Sequence, residues 1–467
     1  MAAKEASPAA RGRGRLNIFD ESVPMWRIFL VFLIPLMLSN VLQSASQTFS
    51  SIFLGRMIGV HALAAVSALF PVLFFLVSFI IGLSSGSTVL IGQAYGARDT
   101  HKMKAVAGTT LSVSLIMGVV VGIVGLIFTY PVLQMLGTPH DILDDSVVYS
   151  RIVFAYLPIF FPYIVYTTFL RGTGDSTTPF YFLIISTVLS IVLTPAFIRG
   201  WVGLPQMGIA SAALSSFIAN GVAFAALLGY LQYIKHPLRF DREIFADLKI
   251  DGKIFVTMVR IGIPTAIQVV TVALAEIAVI TFVNRFGSSA TAAYGAVNQV
   301  VGYVQFPAIS IGIAASIFGA QCIGARREDK LSSVIHSGIT LSYIVSGIFV
   351  VLCYAFSWIL LGWFITDTHT LDIAHGLLMI TLWSYVVFGN TSVLSGIMRS
   401  SGTVLWPTVI GVFSIVGVEV PAAYILMHHY GLNGVWMGYP IAFCTGLALQ
   451  FAYYKLVWKK KTHERLV

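Results

Sequence analysis

A chain of 467 residues that is 57% apolar and only 10% charged is not an ordinary soluble domain, in which about a quarter of residues carry charge. Its net charge of +9 does not read as a nucleic-acid surface, because the cations recur in short loops between apolar runs. Cys322, Cys353 and Cys444 lie in or at the ends of those runs without paired spacing, which argues against a disulfide framework or a zinc site.

In chain order, residues 1–24 form a basic tail with no short apolar core before a small-residue cleavage site, so they read as retained. Twelve apolar segments follow, at about 25–48, 62–90, 105–129, 149–169, 180–199, 208–233, 256–283, 291–318, 333–363, 374–397, 405–427 and 434–457. Each is long enough to cross a bilayer, and lipid requires such a segment to satisfy its own backbone as a helix. Residues 234–254, which include "IKHPLRFDREIFADLKIDGK", are the longest charged stretch and read as a linker. It joins a first lobe (25–233) to a second (255–457), and 458–467 form a basic tail.

The first segment carries Asn40, Gln43, Gln47 and Ser50 at steps of 3, 4 and 3. That puts them on one polar face, which lines either a cavity or a helix contact because it cannot face lipid cheaply. After the second segment comes "GQAYGARDTHKMKAV", and after the fourth "RGTGDSTTP". Segment seven holds Gln268 and, two turns on, Glu276, past a kinking Pro264. Segment eight holds Asn298 and Gln299, and "GAQCIGARREDKLSSV" follows it. Asn390 lies in segment ten and Glu419 in segment eleven, just before Pro421, which frees a backbone carbonyl.

The loops repeat. Gly96, Ala97 and Arg98 match Gly324, Ala325 and Arg326 at a shift of 228; Arg171, Gly174 and Pro179 match Arg399, Gly402 and Pro407 at the same shift, as do Gly59 and Gly287. Six segments per half give two parallel repeats related by an axis along the membrane normal, an organisation of secondary transporters. Only Arg56, Arg151, Arg199 and Arg285 fall opposite the side shared by the tails, leaving 24 of the 28 Lys and Arg on that side. The excess of cations predicts that this side, with both termini, is cytoplasmic.

Of the acids, Glu276 and Glu419 sit well inside segments, where an ionisable side chain is a functional candidate by default. Such a carboxyl can bind a proton, a sodium ion or a cationic substrate in competition. The alternative for each is a structural carboxyl bonded to a neighbouring hydroxyl. Asn298 and Asn390 are weaker candidates, since a single amide in a bundle is commonly interhelical glue. Aromatics such as Phe74, Phe75, Tyr303, Phe306, Tyr385 and Phe388 would suit flat or cationic compounds if they faced a cavity.

The Gly-Ala-Arg loop after the second segment, its echo after the eighth, the Arg-Gly-x-Gly-Asp turn and "GRMIGVHALAAVSALFP" together resemble the multidrug and toxic compound extrusion (MATE) family, over about residues 25–457. The resemblance implies an all-α fold of twelve transmembrane helices in two six-helix lobes. It also implies export of organic, often cationic, compounds driven by proton or sodium entry. Members often carry an Asp in segment one where this chain has Ser50. Their segment-seven acid would fall at Val272, one turn before Glu276, and their segment-ten acid at Phe388, near Asn390. The expectation is a monomeric efflux antiporter of the cytoplasmic membrane, without cofactor or bound metal apart from a sodium ion at Glu276 if sodium is the coupling ion. Its partners are drugs or organic cations and membrane lipid, not nucleic acid. The alternatives are a lipid-linked precursor flippase of the same superfamily, disfavoured by the absence of a cation deep in any segment, and a channel or receptor, for which no filter or charge ring is visible. No catalytic triad, metal cluster or phosphate loop suggests an enzyme.

Overall fold

The computed structural model describes residues 18–466, so the basic residues Lys4, Arg11, Arg13 and Arg15 of the amino-terminal tail lie outside the described part. Among the described residues there are helices and turns and no strand. The spans, here α1 to α12, are Met25–Ile58, Phe70–Gly96, Thr100–Met135, His140–Gly172, Thr177–Arg199, Ala210–Tyr233, Gly252–Phe286, Ser288–Gly324, Glu328–Ala355, the bent pair Thr368–Thr381 and Ser384–Ser400, Leu405–Tyr430 and Leu432–Lys460. Several run one or two turns beyond their apolar segments, because helix geometry persists into the polar boundary where hydropathy has already fallen. The pair that makes α10 bends by 43°. The connection before α2 contains its own short helix, Val60–Ala68, and the segment expected to end at residue 363 stops at Ala355 before another, Ser357–Gly362.

Loop aspartates start several helices. Asp99 accepts from the Lys102 amide at 3.0 Å, Asp251 from Lys253 and Ile254 at 2.8 and 3.2 Å, and Asp367 from Thr370 at 2.9 Å. Each satisfies a backbone donor that the first turn leaves without an intrahelical partner. Most acids of this chain are therefore caps or loop charges, which sharpens the contrast with Glu276 and Glu419.

The internal repeat is visible in the backbone. Arg98 and Arg326 share a left-handed φ of 57°, rare for a residue with a side chain. In both loops the helix ends in a Schellman turn: Asp99 N donates to Ala94 O and Arg98 N to Tyr95 O, and in the second lobe Arg327 N donates to Cys322 O and Arg326 N to Ile323 O, all at 2.9–3.0 Å. The repeated Gly-Ala-Arg is thus a helix terminator used twice.

Within the first lobe α3 packs on α4, where Gly118 and Gly122 let the α4 backbone approach at Leu157 and Phe154. Within the second, α8 packs on α10 at Gly312 and Gly396. Small residues serve this purpose in membranes because apolar side chains gain nothing by leaving lipid, so close van der Waals contact must drive association. The outer face of α3, with Ile116, Val120, Ile123 and Ile127, stays exposed and apolar, as a lipid-facing helix should.

The lobes meet mainly through α2 against α7 and α8, with α1 against α8 and α9. Gly82 and Gly262 meet backbone to backbone, and Gly86 meets Met258. These contacts lie in the half of the molecule that carries the basic loops, called here the basic end. In the other half Gln43, Gln47, Phe75, Gln299 and Tyr303 are exposed. The lobes are joined at the basic end and parted at the opposite one.

The linker is not a free string. Lys104 on α3 donates to Asp241 at 2.7 Å and to Glu243 at 2.5 Å, the Asp251 amide donates to Thr109 at 3.3 Å, and Leu238 and Ile244 are wholly buried.

Candidate functional site

Glu276 is half-buried near the parted end of the second lobe, where α7, α8, α10, α11 and α12 enclose it. Its Oε2 accepts a hydrogen bond from the Tyr294 hydroxyl of α8 and a second, at 3.0 Å, from the Tyr439 hydroxyl of α12. Asn298, one helical turn after Tyr294, neighbours the Tyr294 hydroxyl. Glu419 of α11 is 4% exposed and lies within electrostatic range of Glu276, and Tyr385 of α10 lies within range of both. The site therefore draws polar groups from five helices.

Aromatic rings line this constellation. Tyr294 packs on Trp436 with centroids 5.2 Å apart, Trp436 on Tyr439 at 5.9 Å, and Tyr385 on Phe443 at 5.3 Å. A carboxylate held among aromatic faces can take an organic cation by charge and by cation–π attraction together. Its oxygens, with the tyrosine hydroxyls, also form a hard donor set for a proton or a small alkali cation. Among the described residues there is no cluster of three His, Cys, Asp or Glu able to hold a metal ion.

The remaining candidates scatter. Gln268 turns towards α11, where its amide nitrogen lies 2.9 Å from the Cβ position of Gly411. Eight residues of helix rotate by about 80°, enough for Glu276 and Gln268 to face different neighbours. Asn40 donates to the Ser310 hydroxyl of α8 at 3.2 Å, an interhelical bond that crosses between lobes near mid-span. Gln43 and Gln47, further along the same face, are exposed at the parted end. Asn390 is buried, donates to the Val386 carbonyl of its own helix at 2.9 Å, and lines a groove of about 440 Å³ with Tyr343, Leu394, Cys444 and Phe451. That groove lies between α9, α10 and α12, apart from the Glu276 cluster. Tyr294, Trp436 and Tyr439 were not legible as site residues, although a hydroxyl deep in a span signals a polar partner.

The MatE family model matches this chain twice, at residues 35–196 and 264–425, so both lobes are copies of one unit. The chain belongs to the MATE family. It is 52% identical over 445 residues to the probable multidrug resistance protein YoeA of Bacillus subtilis (strain 168), covering 95% of this chain and 96% of that one. It is 24% identical over 440 residues to the multidrug export protein MepA of Staphylococcus aureus (strain bovine RF122 / ET3-1), covering 92% and 93%. Among solved structures, the MATE transporter VcmN of Vibrio cholerae superposes with a TM-score of 0.86 at 19% identity, over 93% of this chain and 98% of that one. A transporter of the MOP superfamily from Pyrococcus furiosus matches at 0.84 and 21%, over 94% and 97%. The likeness to these structures is one of fold. The protein is thus a multi-pass member of the MATE family of multidrug efflux transporters.

Proposed function

We propose that this transporter exports organic cations by antiport, with Glu276 as the group for which the coupling ion and the substrate compete. The basic end faces the cytoplasm of the cell membrane, with both termini on that side, and the chain works as a monomer. The observation that carries the reading is the Glu276 carboxylate, held by Tyr294 and Tyr439 in an aromatic enclosure near the parted end.

The cycle follows from that placement. With the basic end joined, the site communicates with the parted end; a proton or sodium ion arriving there displaces the cargo at the carboxylate. Rocking of the lobes then opens the basic end, the ion leaves inward and a new cation takes its place. Glu419, buried within range of Glu276, is a second carboxyl of the same enclosure.

Efflux of a fluorescent cationic dye from proteoliposomes tests this, comparing wild type with Glu276→Gln under separately imposed proton and sodium gradients. Export by wild type and at least a roughly hundredfold lower rate in the variant is the expected result, a factor in keeping with truncating a buried charge partner. The active gradient names the ion. Equal export by both proteins would remove Glu276 from the coupling step. Absence of dye movement in either protein under either gradient would favour lipid-linked cargo.

A further inference from the structure

Two buried glutamines, each 1% exposed, join the lobes at the basic end. Gln93 on α2 of the first lobe donates its side-chain N–H to the Ser400 carbonyl at the end of α10 in the second, at 2.8 Å. Gln321 on α8 of the second lobe donates to the Gly172 carbonyl at the end of α4 in the first, at 2.9 Å. The donors are 228 residues apart (93 and 321), and so are the acceptors (172 and 400). This is one contact made twice by the pseudo-twofold axis, each lobe giving the other the same amide and taking the same carbonyl.

The setting makes both bonds necessary while the lobes are joined. Gly172 and Ser400 lie in the last turns of their helices, where carbonyls run out of intrahelical donors. The helices that carry the glutamines touch without side chains between them. A Cβ on Gly96 would lie 2.1 Å from the Gln321 carbonyl oxygen, and one on Gly324 would lie 2.0 Å from that of Gln93. Water is excluded there, so an amide or carbonyl that lost its partner in the joined state would stay unpaired.

A third element crosses the seam. The Leu466 amide donates to the Gln93 side-chain oxygen at 2.8 Å. The Leu466 side chain packs against Val89 of the first lobe and Ile261, Ala320 and Val404 of the second. The segment leading to it is pinned where the Trp458 indole N–H donates to the Ser401 hydroxyl at 2.8 Å and where His463 stacks on Trp458 with centroids 4.0 Å apart.

We propose that Gln93 and Gln321 are the gate residues of the basic end, and that residues 461–466 are a strap that holds the gate shut. The two amide bonds lie across the seam as a pair related by the pseudo-twofold along the membrane normal, so a rocking motion that parts the lobes at the basic end loads both at once. Opening releases both together, with the Leu466 amide, and exposes the donors and acceptors of all three bonds to water in one step. The gate residues act by positioning the lobes and do not touch cargo. Their role in transport rests on the alternating-access reading above, whereas their role in closure does not.

Hydrogen–deuterium exchange on the full chain in lipid nanodiscs, with dye efflux measured in parallel, separates these points. In Gln321→Leu exchange is expected to rise roughly tenfold, the factor for one lost buried hydrogen bond, and independently in Gln93→Leu by at least as much, because the Leu466 amide loses its acceptor as well. The rise should appear at residues 93–99, 321–327 and 461–466 together, while residues 150–165 within α4 keep wild-type protection and report an intact fold. Leu466→Ala should raise exchange at the same three segments by a smaller factor. Coordinated opening with altered efflux supports gate and cycle alike; coordinated opening with wild-type efflux supports the gate and counts against rocking as the transport step. Exchange that rises only around the substituted residue, or not at all, overturns the gate.

Discussion

At the scale of single residues, Glu276 stands out because its carboxylate is held by hydroxyls alone. Tyr294 and Tyr439 satisfy it when no cation is bound and must yield when one arrives. Removing one of them leaves the charge more available. Tyr439→Phe is therefore expected to bind a cationic dye roughly tenfold more tightly, on the scale of a hydrogen bond to a charged group, and to turn over more slowly because release becomes harder. Fluorescence anisotropy with parallel efflux rates checks both parts; weaker binding would show that the hydroxyl is itself a ligand of the dye. The sequence alone singled out Glu276 and Glu419 because acids inside an apolar span are costly and rare. It did not single out Tyr294 and Tyr439, since tyrosine in a span is equally at home at a membrane boundary. Only the fold brings residues 163 positions apart to one oxygen. Asn40 was legible as a polar face but not as an interlobe bond, because its partner Ser310 lies on another helix.

Single elements show where hydropathy and helix geometry part company. Pro421 predicts a disturbed span, and α11 widens into a π-turn over Phe413–Glu419 directly before it, a local underwinding that tolerates the missing amide and buries Glu419. Nothing in the composition of Ser342–Ser346 announces the similar widening of α9. At the crossing of α2 and α8 the glycines are legible as a repeat, and their purpose is steric. Gly96→Ala would place a methyl 2.1 Å from a backbone oxygen that cannot swing aside, so the basic end should fail to close and exchange protection at 321–327 should be lost. Unchanged protection would mean that the crossing has slack. The linker makes a separate prediction. Burial alone would raise the Asp241 carboxyl, but hydrogen bonds from Lys104 and the Ile244 amide prevail and hold it below its ordinary value of 3.8. A depressed carboxylate contributes stability above its unfolded value and loses it as pH falls through the folded one. Limited trypsin digestion at Arg239 and Arg242 after brief acid exposure should therefore show the linker released only below about pH 4. In Asp241→Asn that release should already be present at neutral pH.

At the scale of the whole molecule, two lobes built from one repeated unit have diverged in chemistry. The second lobe holds both intramembrane acids, while in the first the polar residues facing the parted end, Gln43 and Gln47, are uncharged. On the antiport reading proposed above, symmetry would supply the rocking geometry, and the difference between the lobes would put ion and cargo on the same carboxyl. Shared carboxylates impose a quantitative constraint. If the enclosure around Glu276 can neutralise one added cation but not two without like-charge repulsion in a poorly solvated site, dye and coupling ion must exclude each other. The apparent dissociation constant of a cationic dye should then rise in proportion to sodium concentration at fixed pH if sodium is the partner, or in proportion to proton concentration at fixed sodium if the proton is. Glu276→Gln should bind the dye more weakly and lose that proportionality. Equilibrium dye titrations in detergent or nanodiscs across a sodium series and a pH series decide the matter without any gradient. A dissociation constant indifferent to both ions would place ion and cargo at separate sites, and coupling would then have to pass through the motion of the lobes instead of through a shared carboxylate.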